Sequence, residues 1–101
     1  MRSIEVRAGG EFDVLATTPR SQAATMVLEP GETTGGPDNR HEESDPWLYV
    51  ISGRGEALVD GKETPLEPGR LLLIEAGEAH EVRAGRAEPL VTLNFYAPPE
   101  Y

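Results

Sequence analysis

The sequence predicts an all-β fold, a small antiparallel β-sandwich or β-barrel, and three observations predict it. Turn signals recur mostly every 6–12 residues: Gly9-Gly10, Pro30-Gly31, Gly35-Gly36-Pro37, Gly53-Arg54-Gly55, Asp60-Gly61, Pro68-Gly69, Ala76-Gly77 and Gly85. That spacing leaves no room for helices. Between the turns lie short segments rich in β-branched, aromatic and leucine residues, the composition that suits a pleated, half-buried surface. Finally, 101 residues without cysteine and with 38% apolar side chains bound the chain to one compact domain, residues 1–101. A domain of this size buries roughly 60–68% of its extended-chain surface, enough for a core without disulfides or structural zinc.

Taken in order, strands are expected over residues 3–7, 12–16, 23–28, 47–52, 56–59, 71–75, 80–83 and 90–96. Asp60-Gly61, between Ala57-Leu58-Val59 and Lys62-Glu63-Thr64, is the strongest hairpin signal, because a type I′ turn needs positive φ at both central residues. Pro30-Gly31 and Pro68-Gly69 suit type II turns, with proline setting φ at the first central position and glycine supplying positive φ at the second. Residues 29–45 carry six acidic residues and three glycines and lack a strand pattern, so this stretch reads as a functional loop or a polar strand. Trp47-Leu48-Tyr49-Val50-Ile51 and Leu71-Leu72-Leu73-Ile74 are apolar on both faces. If Leu72 and Ile74 face the interior, Leu71 and Leu73 need cover from the N-terminal strands or a second subunit, and a homodimer is the expected solution.

Composition removes several function classes. Eighteen acidic against nine basic residues, a net charge of −9, and the lack of a basic run oppose a nucleic-acid partner. The longest apolar run, Trp47 to Ile51, falls far short of the roughly 20 residues of a membrane span. No apolar segment follows Met1-Arg2-Ser3-Ile4-Glu5 as a signal peptide would require, so a cytoplasmic location without membrane contact is expected. The absence of cysteine excludes thiolate chemistry.

Two histidines carry the remaining chemistry: His41 in the polar stretch and His80 beyond the turn Glu75-Ala76-Gly77-Glu78. Around the second, Gly69, five residues, Glu75, Ala76, Gly77, two residues, His80 and then Ala84 follow a recognisable pattern. Around the first, Asn39, His41, Pro46 and the strand end Tyr49-Val50-Ile51-Ser52-Gly53 follow another. Residues 28–80 thereby resemble the two motifs of the cupin superfamily, and the likeness extends through Val27-Leu28-Glu29-Pro30-Gly31-Glu32 and into residues 90–99. The resemblance implies a small jelly-roll barrel, a double-stranded β-helix, with a pocket in its mouth that often holds a divalent ion on three histidines and one glutamate. His41 and His80 stand at two of those positions, while Asn39 replaces the first histidine and Pro46 the glutamate. Glu75 and Ala84 replace a usual proline and asparagine of the second motif.

The resemblance therefore implies a weakened site for zinc, manganese, iron or nickel, since an amide oxygen is a poor ligand and proline offers none. With a strand period of two, Asn39, His41, Glu43 and Asp45 would share one face, so Asp45 or Glu43 is expected to replace the glutamate. Asp45 is preferred, because Pro46 beside it marks a bulge that would turn its neighbour inward. The blander alternatives stand beside this: Asn39 as a turn residue, Glu42, Glu43 and Asp45 as a solvated acidic run, and Trp47 and Tyr49 as core or interface. Asn94 and Tyr96 share a parity on the last strand and are candidates for polar groups in the cavity, with placement on an exposed face as the alternative. Three function classes remain open: a metal-dependent enzyme acting on a small metabolite, a metal-free ligand-binding or regulatory module, and an interaction unit. No catalytic acid or base is identifiable beyond the same residues.

Overall fold

The computed structural model describes residues 1–35 and 43–101, and among these residues it contains nine strands and no helix. These are β1 (Phe12–Thr17), β2 (Gln22–Leu28), β3 (Thr33–Gly35), β4 (Asp45–Ser52), β5 (Gly55–Val59), β6 (Lys62–Leu66), β7 (Leu71–Leu73), β8 (His80–Ala84) and β9 (Leu90–Ala97). They form a five-stranded sheet in the order β1-β2-β9-β4-β7 and a four-stranded sheet in the order β3-β8-β5-β6. Every recorded pairing is antiparallel. The expected all-β barrel of jelly-roll type is the fold observed.

The core lies between the sheets. Met26, Leu28, Leu48, Val50 and Leu90 from the larger sheet meet Ala57, Leu66, Val82 and Ala84 from the smaller one. Along β4 the burial alternates residue by residue, with Pro46, Leu48 and Val50 inward and Trp47, Tyr49 and Ile51 outward. The hairpin between β5 and β6 forms at Asp60 (φ 45°) and Gly61 (φ 81°), both in the left-handed region that a type I′ turn requires.

The structure corrects or completes the pattern-based expectations at four places. Residues 3–7 form no strand: Ile4 and Val6 are exposed and no sheet edge pairs with them, so composition alone does not order this segment. Within the polar stretch, left open between a loop and a polar strand, the structure gives the three-residue strand β3. Thr34 pairs with Val82 of β8, so the partner supplies the ladder. Strand β6 extends the Asp60-Gly61 hairpin with Glu63 and Pro65 on its path and only Leu66 fully buried. Strand β7 stops at Leu73 rather than at residue 75.

Inside the short β7 region the expected facing holds. Leu72 packs against the core and Ile74 is buried, while Leu71 and Leu73 point outward, 53% and 41% exposed. Register makes the outer face continuous: Leu73, Trp47, Phe95 and Ala23 align across four strands, and Leu71, Tyr49 and Leu93 form the next row, which ends at the fully buried Thr25. An apolar sheet face therefore stands toward solvent on the isolated chain.

Gly53 shows how tightly the strand ends are joined. Its φ is 84°, and a Cβ there would collide with the carbonyl oxygen of Pro89 and press on Leu90. Both the left-handed backbone and the close approach demand glycine. Gly53→Ala is expected to cost about 2 kcal/mol or more and to lower the melting temperature by roughly 10 °C. Gly61→Ala, with open space around its Cβ position, should cost about 1 kcal/mol. Thermal unfolding of the two variants followed by circular dichroism checks the ranking.

Candidate functional site

The barrel mouth is built by β8 and β9 from one side each. His80 opens β8 and is 8% exposed. The hairpin residue Asp60 sets its position, because Asp60 Oδ1 accepts from the Ala79 N–H at 2.9 Å and the Asp60 N–H donates to the Ala79 carbonyl at 2.9 Å. The residue immediately before the imidazole is thus held at both its N–H and its C=O. His80 Nδ1 lies 3.4 Å from the Glu78 carbonyl oxygen. A carbonyl only accepts, so this contact favours the tautomer with the proton on Nδ1.

On β9 the inward positions read Thr92, Asn94, Tyr96, spaced by the strand period of two and all buried. Thr92 Oγ1 donates to Asn94 Oδ1 at 2.8 Å, and Asn94 Nδ2 donates to the Tyr96 hydroxyl at 3.2 Å. This run orients the Asn94 amide from both ends. Burial pushes the Tyr96 phenol well above its ordinary pKa, with the Asn94 hydrogen bond opposing the shift.

Above these residues sits an aromatic rim. The Tyr101 ring lies 4.8 Å from Phe12 and 5.1 Å from Tyr96, edge-on to the latter. The buried Gln22 amide holds the chain there: Nε2 donates to the Tyr101 carbonyl at 2.6 Å, and Oε1 accepts from the Tyr101 N–H at 2.9 Å. Together these groups enclose a cavity of about 80 Å³ whose walls include His80, Asn94, Tyr96 and Tyr101.

The structure places the sequence-derived candidates unequally. His80, Asn94 and Tyr96 share the cavity wall. Pro46, at the position of the expected glutamate, also lines it and contributes no donor atom. Asp45 and Glu43 lie on exposed positions. Asp45 Oδ1 accepts the Ala76 N–H at 2.8 Å and so ties β4 to the turn before His80. The inward parity instead belongs to Ser44, whose hydroxyl donates to the Pro98 carbonyl at 2.7 Å, and to Pro46. Trp47 to Ile51 is apolar at every residue, so nothing in the sequence revealed which parity faced inward, and the face assigned to Glu43 and Asp45 is the outer one. His41 and Asn39 lie outside the described residues. Gln22 and Tyr101 were missed by sequence reasoning, because their contact joins residues 79 positions apart and neither belongs to a motif.

The cupin-domain family profile matches residues 24–96, which is most of the chain. This chain belongs to the cupin family. Among curated relatives, this cupin is 34% identical over 82 residues to the tetracenomycin polyketide synthase protein TcmJ of Streptomyces glaucescens, covering 75% of this chain and 53% of that protein. It is 36% identical over 76 residues to an L-ectoine synthase of Vibrio atlanticus, covering 74% and 56%. The cupin thus spans about half the length of the curated relatives it matches. Among solved structures, BH2720 of Bacillus halodurans superposes with a TM-score of 0.88 at 28% identity, covering 94% of this chain and 75% of that one.

Cupins commonly carry divalent metals. Among the described residues of this one, no group of three His, Cys, Asp or Glu side chains is placed to hold an ion, and His80 is the one imidazole in the wall. A first-row ion needs more than one such donor, so the described residues by themselves do not make a metal centre.

The Tyr96 phenol generates a prediction. A folded-state pKa raised above the unfolded value of 10.0 means that the unfolded chain loses its proton first. Stability is fully present below pH 10 and declines as pH rises beyond it. Tyr96→Phe should flatten this alkaline decline, which denaturant melts over a pH series will show.

Proposed function

We propose that this cupin binds a small metabolite in the barrel mouth, with His80, Asn94 and Tyr96 as the groups that orient it. The observation that carries the reading is the convergence of these three buried polar side chains, from two strands of opposite sheets, on one apolar-walled cavity. A mostly apolar pocket with a few convergent polar groups is the usual form of a small-molecule site. The likeness to TcmJ and to L-ectoine synthase, proteins named for small-molecule biosynthesis, supports the same direction. A metabolite library screened by heteronuclear NMR should yield compounds that shift His80 and Asn94, and His80→Ala should weaken them about ten-fold, on the order of 1.4 kcal/mol. A library that shifts neither residue sinks the reading.

The finer proposal is a divalent ion at His80 and His41, with Asn39 nearby; Glu43 and Asp45, expected from the sequence to complete the shell, stand on exposed positions. Its support is the motif spacing of the two histidines and the wall position of Pro46, which matches the place of the family's glutamate. Such an ion would supply Lewis-acid polarisation of a ligand oxygen. Protein purified without an affinity tag and dialysed against zinc or manganese should retain metal, and His41→Ala combined with His80→Ala should abolish uptake. Unchanged metal content in the double variant rules out this ligand pair. Without metal, the same cavity acts as a binding or regulatory pocket.

The apolar outer face of the β1-β2-β9-β4-β7 sheet supports a homodimer. Its rows of aliphatic and aromatic side chains can be covered by a second copy through a twofold axis, the commonest closed arrangement. Light scattering should give twice the 11.0 kDa chain mass, and Tyr49→Asp with Leu71→Asp should return the monomer. A monomeric wild type at micromolar concentration ends this proposal.

A further inference from the structure

We infer that residues 98–101 form a gate across the barrel mouth, with Tyr101 as its leaf and Gln22 as its latch, and that ligands enter when this strap swings outward. This rests on the ligand-binding reading above and names how access to that site is controlled.

Size shows the need for a gate. The described walls enclose about 80 Å³, whereas a cavity of roughly 150 Å³ is what admits a ligand as small as benzene. A metabolite of ring size or more therefore fits only after a wall has moved. The room for it lies alongside. An open hollow of about 260 Å³ adjoins the cavity where β1 and β3 approach, and Phe12, Met26, Thr34 and Tyr101 line both spaces. Displacing the Tyr101 ring joins the two.

Attachment singles out Tyr101 as the wall that moves. Apart from Ile74 and Tyr101, every described residue of the cavity wall stands in a strand. Ile74 is 2% exposed, and its N–H donates to the Pro46 carbonyl at 2.9 Å, which continues the β4–β7 ladder. Tyr101 is 61% exposed, and its ring meets Phe12 at a tilt and Tyr96 edge-on. A hydrogen bond joins its hydroxyl to that of Tyr96. An outward swing breaks this bond, and the Tyr96 hydroxyl, still accepting from Asn94 Nδ2, then has a proton to donate to a ligand oxygen. The ligand thereby replaces the contact that closure makes.

The latch is one buried side chain of β2. Gln22 Oε1 accepts from the N–H groups of Glu100 and Tyr101 at 3.2 and 2.9 Å, and Nε2 donates to the Tyr101 carbonyl at 2.6 Å and to Thr17 Oγ1 at 3.0 Å. At the other end of the strap, Ser44 Oγ donates to the Pro98 carbonyl at 2.7 Å. These bonds belong to residues 98–101 and to no ladder, so they can break without parting two strands, which makes the strap a local opening unit. Gln22 stands behind the cavity wall and reaches it through Tyr101. It is therefore a positioning residue, and its effect on the cavity measures the gate.

The test is acetylation of Tyr96 in the full chain by N-acetylimidazole, a reagent larger than benzene, read by mass spectrometry with the 39% exposed Tyr49 as internal reference. Wild-type Tyr96 should react about ten-fold or more slowly than Tyr49, and Gln22→Ala and Tyr101→Ala should each speed it about ten-fold. Gly69→Ala, strained at φ 91° on the far end of the β4–β7 pair, should weaken the fold and leave the Tyr96 rate unchanged. Wild-type Tyr96 as reactive as Tyr49, or an unchanged rate in Tyr101→Ala, overturns the gate. An unchanged rate in folded Gln22→Ala overturns the latch. A rate that rises equally in Gly69→Ala shows access by global unfolding and overturns both. Should Gln22→Ala fail to fold, Gln22→Glu, which keeps the acceptors and loses the donor to the Tyr101 carbonyl, takes its place with the same expected rise. A metabolite that shifts His80 while Tyr96 stays equally slow in every variant overturns the gate alone. A working gate in protein that answers no metabolite overturns the ligand-binding reading instead.

Discussion

The antiparallel pairing of β9 between β2 and β4 is the constraint on which the rest of this cupin depends. One strand of eight residues serves three purposes, because alternate side chains point to opposite faces of the sheet. Inward, Leu90 closes the core, and Thr92, Asn94 and Tyr96 then carry the polar run to the cavity. Outward, Val91, Leu93 and Phe95 complete the apolar rows between β2 and β4. A one-residue slip would exchange these sets and place an amide and a phenol outside with aliphatic residues in the cavity. Register is therefore the joint origin of core, site and outer face.

Within that frame, polar groups at the mouth are satisfied by each other rather than by solvent. Ser44 holds the Pro98 carbonyl, Gln22 holds residues 100 and 101, and Asp60 holds Ala79 beside His80. Each is a side-chain-to-backbone bond that fixes a connection or a strand end. Losing Asp60 would leave the N–H of the buried Ala79 unpaired, typically about 1–3 kcal/mol, whereas Pro98 and Tyr101 are exposed. Charged residues act differently. The ion pairs Arg54–Glu67 and Arg83–Glu81 lie on the surface, where such pairs contribute about 0–1 kcal/mol, and the acidic excess does not extend to the described cavity wall.

The all-β class, the Asp60-Gly61 hairpin, the positive φ at Gly31 and Gly69, and the pattern around His80 were legible in the sequence because each rests on short-range chemistry. Glycine, proline and strand-period signals are written within a few residues. The same logic failed at residues 3–7, which have a strand's composition but no edge to pair with. At β3 the sequence left a loop and a polar strand both open, and pairing with β8 decided between them.

What the sequence determined by itself was the kind of fold, the motif positions of His41 and His80, and the existence of two segments apolar on both faces. What only the tertiary structure decided was facing and closure. Trp47-Leu48-Tyr49-Val50-Ile51 carries no alternation, so the register with β9 alone turned Pro46 and Ser44 inward and left Asp45 to bind the Ala76 amide. Gln22 reaching Tyr101, and Thr92 aligning with Asn94 and Tyr96 toward His80, depend on which strands become neighbours. That is a property of long-range pairing, which a linear pattern of residues does not encode locally.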